Sequence, residues 1–307
     1  MTTDGVVLGR VGSKYRVHVE RGEVSASLRG RLKRKDDDRV VPGDVVELDF
    51  HADGSASITG IRPRRTVLAR RQVHSRRSQP IAANLDQVVV VAATRDPEPN
   101  PRQLDRFLVI AEVNGLAAAI VVNKADLERG PREALERRYT AAGYQVLVTS
   151  ARTHDGLPAL RDLLRGRATV FTGPSGAGKS SLLNALEPGL GLRTAEISAK
   201  WRTGRHTTTG AQLVPLAVGG YVVDTPGLRE VGAWGIGPDT LGPCFPEFRP
   251  YLDQCRFDNC RHLAEPGCAV RGATAEGRID PDRLVSYERI YEEVSVPSWS
   301  TGRRRGR

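Results

Sequence analysis

The sequence predicts a multi-domain chain: an N-terminal β-barrel of the OB type, a central α/β unit on a mostly parallel sheet, and a C-terminal cysteine-rich unit closed by a helix. Three observations predict it. Five short β-rich stretches crowd into residues 1–66; apolar strand-like runs alternate with helical patterns over residues 81–232; and three of the four cysteines fall with a histidine in one short segment near the C-terminus.

The barrel strands are "GVVLGRVG", "KYRVHVE", "EVSASLRGRL", "DVVELDF" and "SASITGIRP", each carrying apolar/polar alternation or a β-branched run, with Pro42-Gly43-Asp44 as the turn before the fourth. Five strands in so short a span suit a closed OB barrel; an SH3-like barrel is the alternative. Its loops are basic, with Arg31, Lys33, Arg34 and Lys35, then Arg62, Arg64 and Arg65. Such a rim suits contact with an RNA backbone, although a plain solvated rim reads the same; Tyr15 and Phe50 are the only candidates for base stacking. Residues 67–80, "VLARRQVHSRRSQP", read as a basic linker without periodicity.

Beyond it, "LDQVVVVAAT" and "AAAIVVNKAD" are apolar runs of the kind buried on both faces of a parallel sheet. Between them Leu104, Phe107, Leu108 and Ala111 recur at helical spacing, and the pattern ends near Gly115. "GYQVLVTSA", "ATVFTG" and "GYVVDTPG" are further strands, "GLPALRDLLRG" and "SSLLNALEP" further helices. After Gly232 a Pro/Gly-rich stretch opens the C-terminal unit, residues 233–300; "PDRLVSYERIYEEV" is its helix, with Leu284, Tyr287, Ile290 and Tyr291 on one face. Residues 301–307 form a basic tail.

The central unit carries the chemistry. Gly173, Pro174, Ser175, Gly176, Ala177, Gly178, Lys179 and Ser180, with Ser181 following, satisfy G-x-x-x-x-G-K-[ST] between an apolar strand and a helical pattern. Glycines there turn backbone N–H groups onto phosphate oxygens, Lys179 reaches the β- and γ-phosphates, and the Ser180 hydroxyl ligates Mg²⁺. "VVDTPG" adds Asp224 at a strand end, oriented toward Mg²⁺, and Gly227, whose N–H suits a γ-phosphate. "NKAD", Asn123, Lys124, Ala125 and Asp126, selects the base: a carboxylate at Asp126 accepts from guanine N1–H and its exocyclic amine, groups that adenine lacks. Asn123 is placed to tie this loop to the phosphate loop. Ser150 and Ala151, in "TSA", close over the base, with the Ala151 N–H expected to reach guanine O6. Between the phosphate loop and Asp224, "GRHTTTG" sits where a mobile switch belongs; Thr207, Thr208 or Thr209 would add a Mg²⁺ ligand, Thr208 being chosen. Leu228 stands where many GTPases carry a water-orienting Gln, which predicts slow hydrolysis by the free protein; His206 is the candidate catalytic replacement, or else a surface histidine.

These parts run in the wrong order for an ordinary GTPase: base motif, base loop, phosphate loop, switch, Asp224 strand. A circular permutation restores the usual order, and a site built at strand ends survives it. The exit from Gly227 then leads into the cysteine-rich unit, which suggests that nucleotide state is passed there. In that unit Cys255, Cys260, His262 and Cys268 offer three thiolates and an imidazole for one structural Zn²⁺, with free or redox-paired thiols as the alternative; Cys244 is left over as a free thiol.

A net charge of +10 favours a polyanionic partner. No stretch approaches a membrane-spanning length of apolar residues and the N-terminus has no leader pattern, so no membrane partner and a cytoplasmic location are expected. In the permuted order, "GPSGAGKS", "GRHTTT", "DTPGLRE" and "CRFDNCRHLAEPGCAV" closely resemble the ribosome small-subunit-dependent GTPase A family. The resemblance runs over nearly the whole chain. It implies an OB barrel, a permuted GTPase domain and a zinc domain. It also implies a bacterial cytoplasmic GTPase working in late 30S maturation; separately, a monomer that times its own release is expected. Such a protein binds 16S rRNA near the decoding region, and the subunit stimulates its hydrolysis of GTP to GDP. The family's guanine motif falls on Asn123–Asp126, its phosphate loop on Gly173–Ser181 and its zinc ligands on Cys255, Cys260, His262 and Cys268. Two readings compete with it: an RNA-binding scaffold that only senses GTP, and a P-loop ATPase, against which Asp126 argues.

Overall fold

In the computed structural model, residues 3–29, 39–71, 78–127, 130–190, 211–224 and 236–295 are described. The first five strands are β1 (Thr3–Val11), β2 (Lys14–Val19), β3 (Gly22–Leu28), β4 (Val45–Phe50) and β5 (Ala56–Ile61). They close into a barrel in the order β1-β2-β3-β5-β4, with β3 and β5 parallel and the other pairs antiparallel. This is the OB connectivity, and alternation explains it: Val7, Val17, Val19, Val46, Leu48 and Ile58 all point into one sealed core. Tyr15 belongs to that core at 4% exposure, so it is no stacking platform, whereas Phe50 is 43% exposed.

Residues 67–80, expected as a linker, instead contribute to an antiparallel ribbon of β6 (Val67–Arg71) and β7 (Ser78–Ala83). Leu68 and Ala82 anchor it in the core of the central unit; among the residues of 67–80 whose burial is described only Leu68 is buried, and one residue shows no period.

The central sheet has the order β10-β9-β8-β11-β13-β12, from β8 (Gln87–Ala93), β9 (Ala117–Asn123), β10 (Gln145–Val148), β11 (Ala168–Thr172), β12 (Gln212–Pro215) and β13 (Tyr221–Asp224). All pairs are parallel except β12–β13. β8 is buried on both faces. Val88, Val90 and Ala92 meet α1 (Pro101–Val113) and α2 (Gly130–Ala141) through Leu104, Phe107, Leu108, Leu135 and Tyr139. Val89, Val91 and Ala93 meet α3 (Leu157–Leu164) and α4 (Lys179–Leu186) through Leu160, Leu164, Leu182 and Leu183. The barrel packs on the edge hairpin β12–β13. Leu8 joins the core of the central unit beside Leu213, His18 Nδ1 lies 2.9 Å from the Tyr221 hydroxyl, and a Cβ on Gly9 would lie 3.4 Å from Gln212 Cγ.

The C-terminal unit has a core of its own, although its Pro/Gly-rich sequence hides it. Phe245 stacks on Phe248 with centroids 5.0 Å apart, and both meet Tyr287 of the closing helix Pro281–Ser295, with Leu241, Val270 and Ile290 around them. Leu284, Tyr287, Ile290 and Tyr291 form the buried face of that helix, as its spacing predicts. The whole unit rides on α1. Val109 enters its core, Arg249 pairs with Glu112 at 2.5 Å, and Arg102 and Arg106 pair with Glu293. At the centre of the seam Arg283, 1% exposed, pairs with Asp105 and with Glu247, both at 2.6 Å, and lies 4.6 Å from the centre of the Phe245 ring. Burial alone would lower the Arg283 pKa; the two carboxylates outweigh it and hold the guanidinium charged.

Candidate functional site

The site forms at the carboxyl ends of the parallel strands, where the chain order reverses on either side of β8: β9 and β10 lie on one flank, β11 and β13 on the other. The base motif leaves β9 and the phosphate loop leaves β11, so the two turns stand one strand apart. Asn123, 1% exposed, closes the gap. Its Nδ2 donates to the Ala177 carbonyl at 2.9 Å, while its Oδ1 accepts from the Ala151 N–H at 3.2 Å and from the Thr149 hydroxyl at 3.4 Å. Three turns distant in sequence are thereby fastened by one amide. The Ala151 N–H, expected to face guanine O6, is engaged by Asn123 in this structure.

Two glycines explain the close fit. Gly173 has φ +132°, and a Cβ there would lie 2.1 Å from the Val91 carbonyl oxygen. Gly178 has φ +90°, and its Cβ would lie 2.2 Å from Asn123 Nδ2, so only glycine lets the base loop reach the phosphate loop. Ser175 and Gly176 are exposed at the tip of the phosphate loop, whereas Ala177 is buried. The Lys179 ammonium donates to the carbonyls of Gly173 at 2.9 Å and Pro174 at 2.7 Å. Ser180 is buried and Ser181 half-buried in the first turn of α4, whose N-terminus opens onto the loop.

On the base side, Lys124 has φ +60° and its ammonium donates to the Asp96 carbonyl, while the Thr94 hydroxyl holds the Lys124 carbonyl at 2.7 Å. Ala125 donates its N–H to Thr149 O at 3.1 Å, which sets the two base loops side by side. Asp126 Oδ1 accepts from the Ser150 hydroxyl at 2.6 Å and Oδ2 from Arg152 Nε at 2.8 Å. The Ser150 hydrogen bond first, and Arg152 after it, hold the Asp126 carboxyl below its ordinary range, so it stands ionised as an acceptor. Sequence reasoning missed Arg152; its position directly after "TSA" was the available signal.

Asp224 ends β13, which runs parallel beside the phosphate-loop strand in the register Val170↔Val223. Gly227, Leu228, His206 and Thr208, with Thr207 and Thr209, lie outside the described residues, as do Arg31, Lys33, Arg34, Lys35 and the tail. Three arginines of the expected RNA rim have carboxylate partners: Arg64 pairs with buried Asp44 at 2.7 Å, while Arg62 with Glu47 at 2.9 Å and Arg65 with Asp86 at 3.0 Å form surface pairs and stay more than half exposed.

The second constellation is Cys255, Cys260, His262 and Cys268, whose ligand atoms all lie within 4.8 Å of one another and could hold a metal ion. His262 Nδ1 lies 3.6 Å from Cys255 Sγ and 3.5 Å from Cys268 Sγ. Tetrahedral zinc with ordinary bond lengths demands a sulfur–nitrogen edge of about 3.6 Å, so the donor set fits. Burial lowers the His262 pKa, favouring the neutral imidazole that a metal requires. Cys244 lies apart, buried, its thiol pushed up to about 11 by burial. Among the described residues no helix is long and apolar enough to cross a membrane.

Residues 61–234 match the family model described as RsgA GTPase. A curated relative from Gemmatimonas aurantiaca, the small ribosomal subunit biogenesis GTPase RsgA, is 51% identical over 300 residues, covering 95% of this chain and 98% of that one. The protein of the same name from Moorella thermoacetica is 42% identical over 291 residues, covering 95% and 97%. Among solved structures, YjeQ from Thermotoga maritima superposes with a TM-score of 0.80 at 34% identity, covering 99% of this chain and 100% of that one. YloQ, described as a circularly permuted GTPase, gives 0.77 at 29%, covering 96% and 95%. With one permuted pocket and relatives aligned over nearly its full length, the chain belongs to the RsgA GTPase family.

Proposed function

We propose that this chain binds GTP and hydrolyses it to GDP and phosphate during late maturation of the 30S ribosomal subunit, with 16S rRNA in its footprint. The observation that carries this is the hydrogen bond from Asn123 to Ala177, which makes a base-reading turn and a phosphate-gripping turn into one pocket. The curated relatives' shared description, small ribosomal subunit biogenesis GTPase, supports the partner.

In this reading the ionised Asp126 accepts from the guanine edge and would be left unpaired against adenine, which penalises the wrong base. Lys124 covers the base plane with its stem. The backbone of Gly173–Ser181 and the α4 N-terminus take the phosphates, and Lys179 exchanges the Gly173 and Pro174 carbonyls for β- and γ-phosphate oxygens. Mg²⁺, bound with GTP, supplies charge neutralisation at the β- and γ-oxygens; Ser180, Thr208 and Asp224 would hold it. Leu228 has no group to orient an attacking water, so the free protein turns over slowly and the subunit stimulates it, with His206 as the candidate positioning group. Cys255, Cys260, His262 and Cys268 hold one structural zinc, since all four positions are filled by the protein. The protein acts as a cytoplasmic monomer that times its own release from the subunit.

The test is GTP turnover with and without purified small subunits, alongside calorimetry with guanine and adenine nucleotides. Guanine preference with strong stimulation is the expected result. Equal affinity for the two bases, or no response to subunits, would overturn the reading.

A further inference from the structure

We propose that the loop between Cys255 and Cys260 is a stacking platform for an unpaired RNA base, with Phe257 as the platform and Arg256 and Arg261 as its phosphate contacts. The proposal rests on the reading that the partner is the small subunit and its RNA. Phe257 is 39% exposed; among the described residues only one other phenylalanine, Phe50, stands so far out of the protein. A lone exposed apolar side chain is ordinary. Its setting here is not. The loop is pinned at both ends by candidate metal ligands, the Cys260 N–H donates to Phe257 O at 3.1 Å, and the Arg256 N–H donates to Gly267 O at 3.0 Å. A Cβ on Gly267 would lie 2.9 Å from Arg256 Cβ, so the arginine stem is seated against that glycine. Its guanidinium lies 5.5 Å from the Phe257 ring centre. Ring and cation are therefore held before any partner arrives, and little conformational entropy remains to be lost on binding.

Charge supplies the second argument. In the C-terminal unit Arg249, Arg271, Arg278 and Arg283 are each paired with a carboxylate. Among the described residues no ion pair is formed by Arg256, Arg261 or, on the closing helix, Arg289, and all three are exposed; Arg256 and Arg261 are the two on and beside the zinc loop. They are available for phosphate oxygens. The neighbours of Phe257 along the loop favour this occupant over a protein: Arg256, Asp258 and Asn259 are all exposed and polar, so the loop itself adds no apolar surface to the ring. A nucleobase needs only the one ring, and Asp258 and Asn259 on the same turn offer an acceptor and an amide to its edge.

The test uses the full chain, metal-loaded, with zinc content and GDP affinity measured for every variant. Binding is followed to a fluorescent single-stranded oligoribonucleotide and to purified small subunits over a range of salt. Phe257→Ala is expected to weaken both about five- to one-hundred-fold. Phe257→Trp should retain affinity, and Arg256→Ala or Arg261→Ala should each flatten the salt dependence by about one phosphate contact. Unchanged RNA and subunit binding by Phe257→Ala at wild-type zinc content would overturn the platform. So would a loss confined to subunits with oligoribonucleotide binding intact, which points to a protein contact. If the wild-type chain itself binds neither subunits nor guanine nucleotides, the functional reading fails instead, a result the Phe257 comparison cannot imitate.

Discussion

Replacing Asn123 by alanine should separate the base loop from the phosphate loop while leaving every nucleotide-touching side chain in place. The amide makes three hydrogen bonds, to Ala177 O, Ala151 N and Thr149 Oγ1, and is 1% exposed. Its removal strands the buried Ala177 carbonyl and leaves the half-buried Ala151 N–H without its partner. Each orphaned buried group costs about 1–3 kcal/mol. With one buried group and one half-buried group the penalty is about 2 kcal/mol, or roughly a thirty-fold loss of GDP affinity when the loops must be brought together by the nucleotide. Titration with a fluorescent GDP analogue measures it, and thermal melting shows how much falls on the empty protein. Asn123→Asp is the sharper variant: it keeps the acceptor for Ala151 but turns an anionic oxygen toward Ala177 O, so it should bind no better than alanine despite its matching shape. Gly178→Ala should reproduce the defect from the other side, because its Cβ would arrive 2.2 Å from Asn123 Nδ2. If Asn123→Ala binds GDP within threefold of the unaltered protein, the joint pocket is not held by this residue and the reasoning is wrong.

Three further outcomes are expected. Arg283→Met should lower unfolding stability by about 3–5 kcal/mol in urea titration, because Asp105 and Glu247 would be left charged and buried, and replacing all three by apolar residues should recover most of the loss. The metal-free C-terminal unit should lose stability in alkali. Burial first, then its thiol neighbours, pushes Cys260 from its ordinary 9 up to about 12, so the protonated thiol contributes stability in full below pH 9 and loses it as pH rises toward 12. Zinc-loaded protein should behave the opposite way, failing as acid reprotonates the thiolates, and melting curves of both forms at acid, neutral and alkaline pH check the crossover. Gly9→Ala should be tolerated, because its Cβ would meet Gln212 Cγ at an ordinary contact distance of 3.4 Å, whereas Gly9→Val drives two further methyl groups into the seam and should cost about 1–3 kcal/mol and raise hydrogen exchange in β1 and β12, with guanine binding retained.

What could be read from the sequence was whatever a short window contains. The phosphate loop and base motif each need only a few adjacent residues, and α1, α3, α4 and the closing helix declare themselves through Leu104, Leu160, Leu182 and Leu284 at helical spacing. The five barrel strands alternate visibly. α2 did not declare itself because only Leu135 and Tyr139 anchor an otherwise polar helix. β12 is four residues long and exists by pairing with β13, a contact no local pattern encodes. The aromatic core of the C-terminal unit is assembled from Phe245, Phe248 and Tyr287, separated in sequence by the metal loop. Arg62, Arg64 and Arg65 looked like free cations because their partners Glu47, Asp44 and Asp86 are brought to them only by closure of the barrel and its docking on the sheet.

The permuted order sends the chain from Asp224 toward the C-terminal unit, and on connectivity alone that unit should receive any signal from the nucleotide. Packing argues for a different receiver. The C-terminal unit is fastened to α1 by Arg283, by the Arg249–Glu112 pair and by Glu293, and swinging it would tear apart a buried ion cluster. The barrel sits instead on β12–β13. Gln212 at the start of β12 faces Asp224 at the end of β13 across the ladder, and the same Gln212 lies beneath Gly9 of the barrel. The two segments that carry the expected switch residues, 191–210 and 225–235, enter and leave that hairpin. Among the described residues, the hairpin that these segments flank touches the barrel directly through Gln212, so a rearrangement driven by the γ-phosphate that shifts β12–β13 is expected to reach the barrel. Permutation, on this argument, frees the strand ends to join new neighbours, but contact rather than connection decides which neighbour responds.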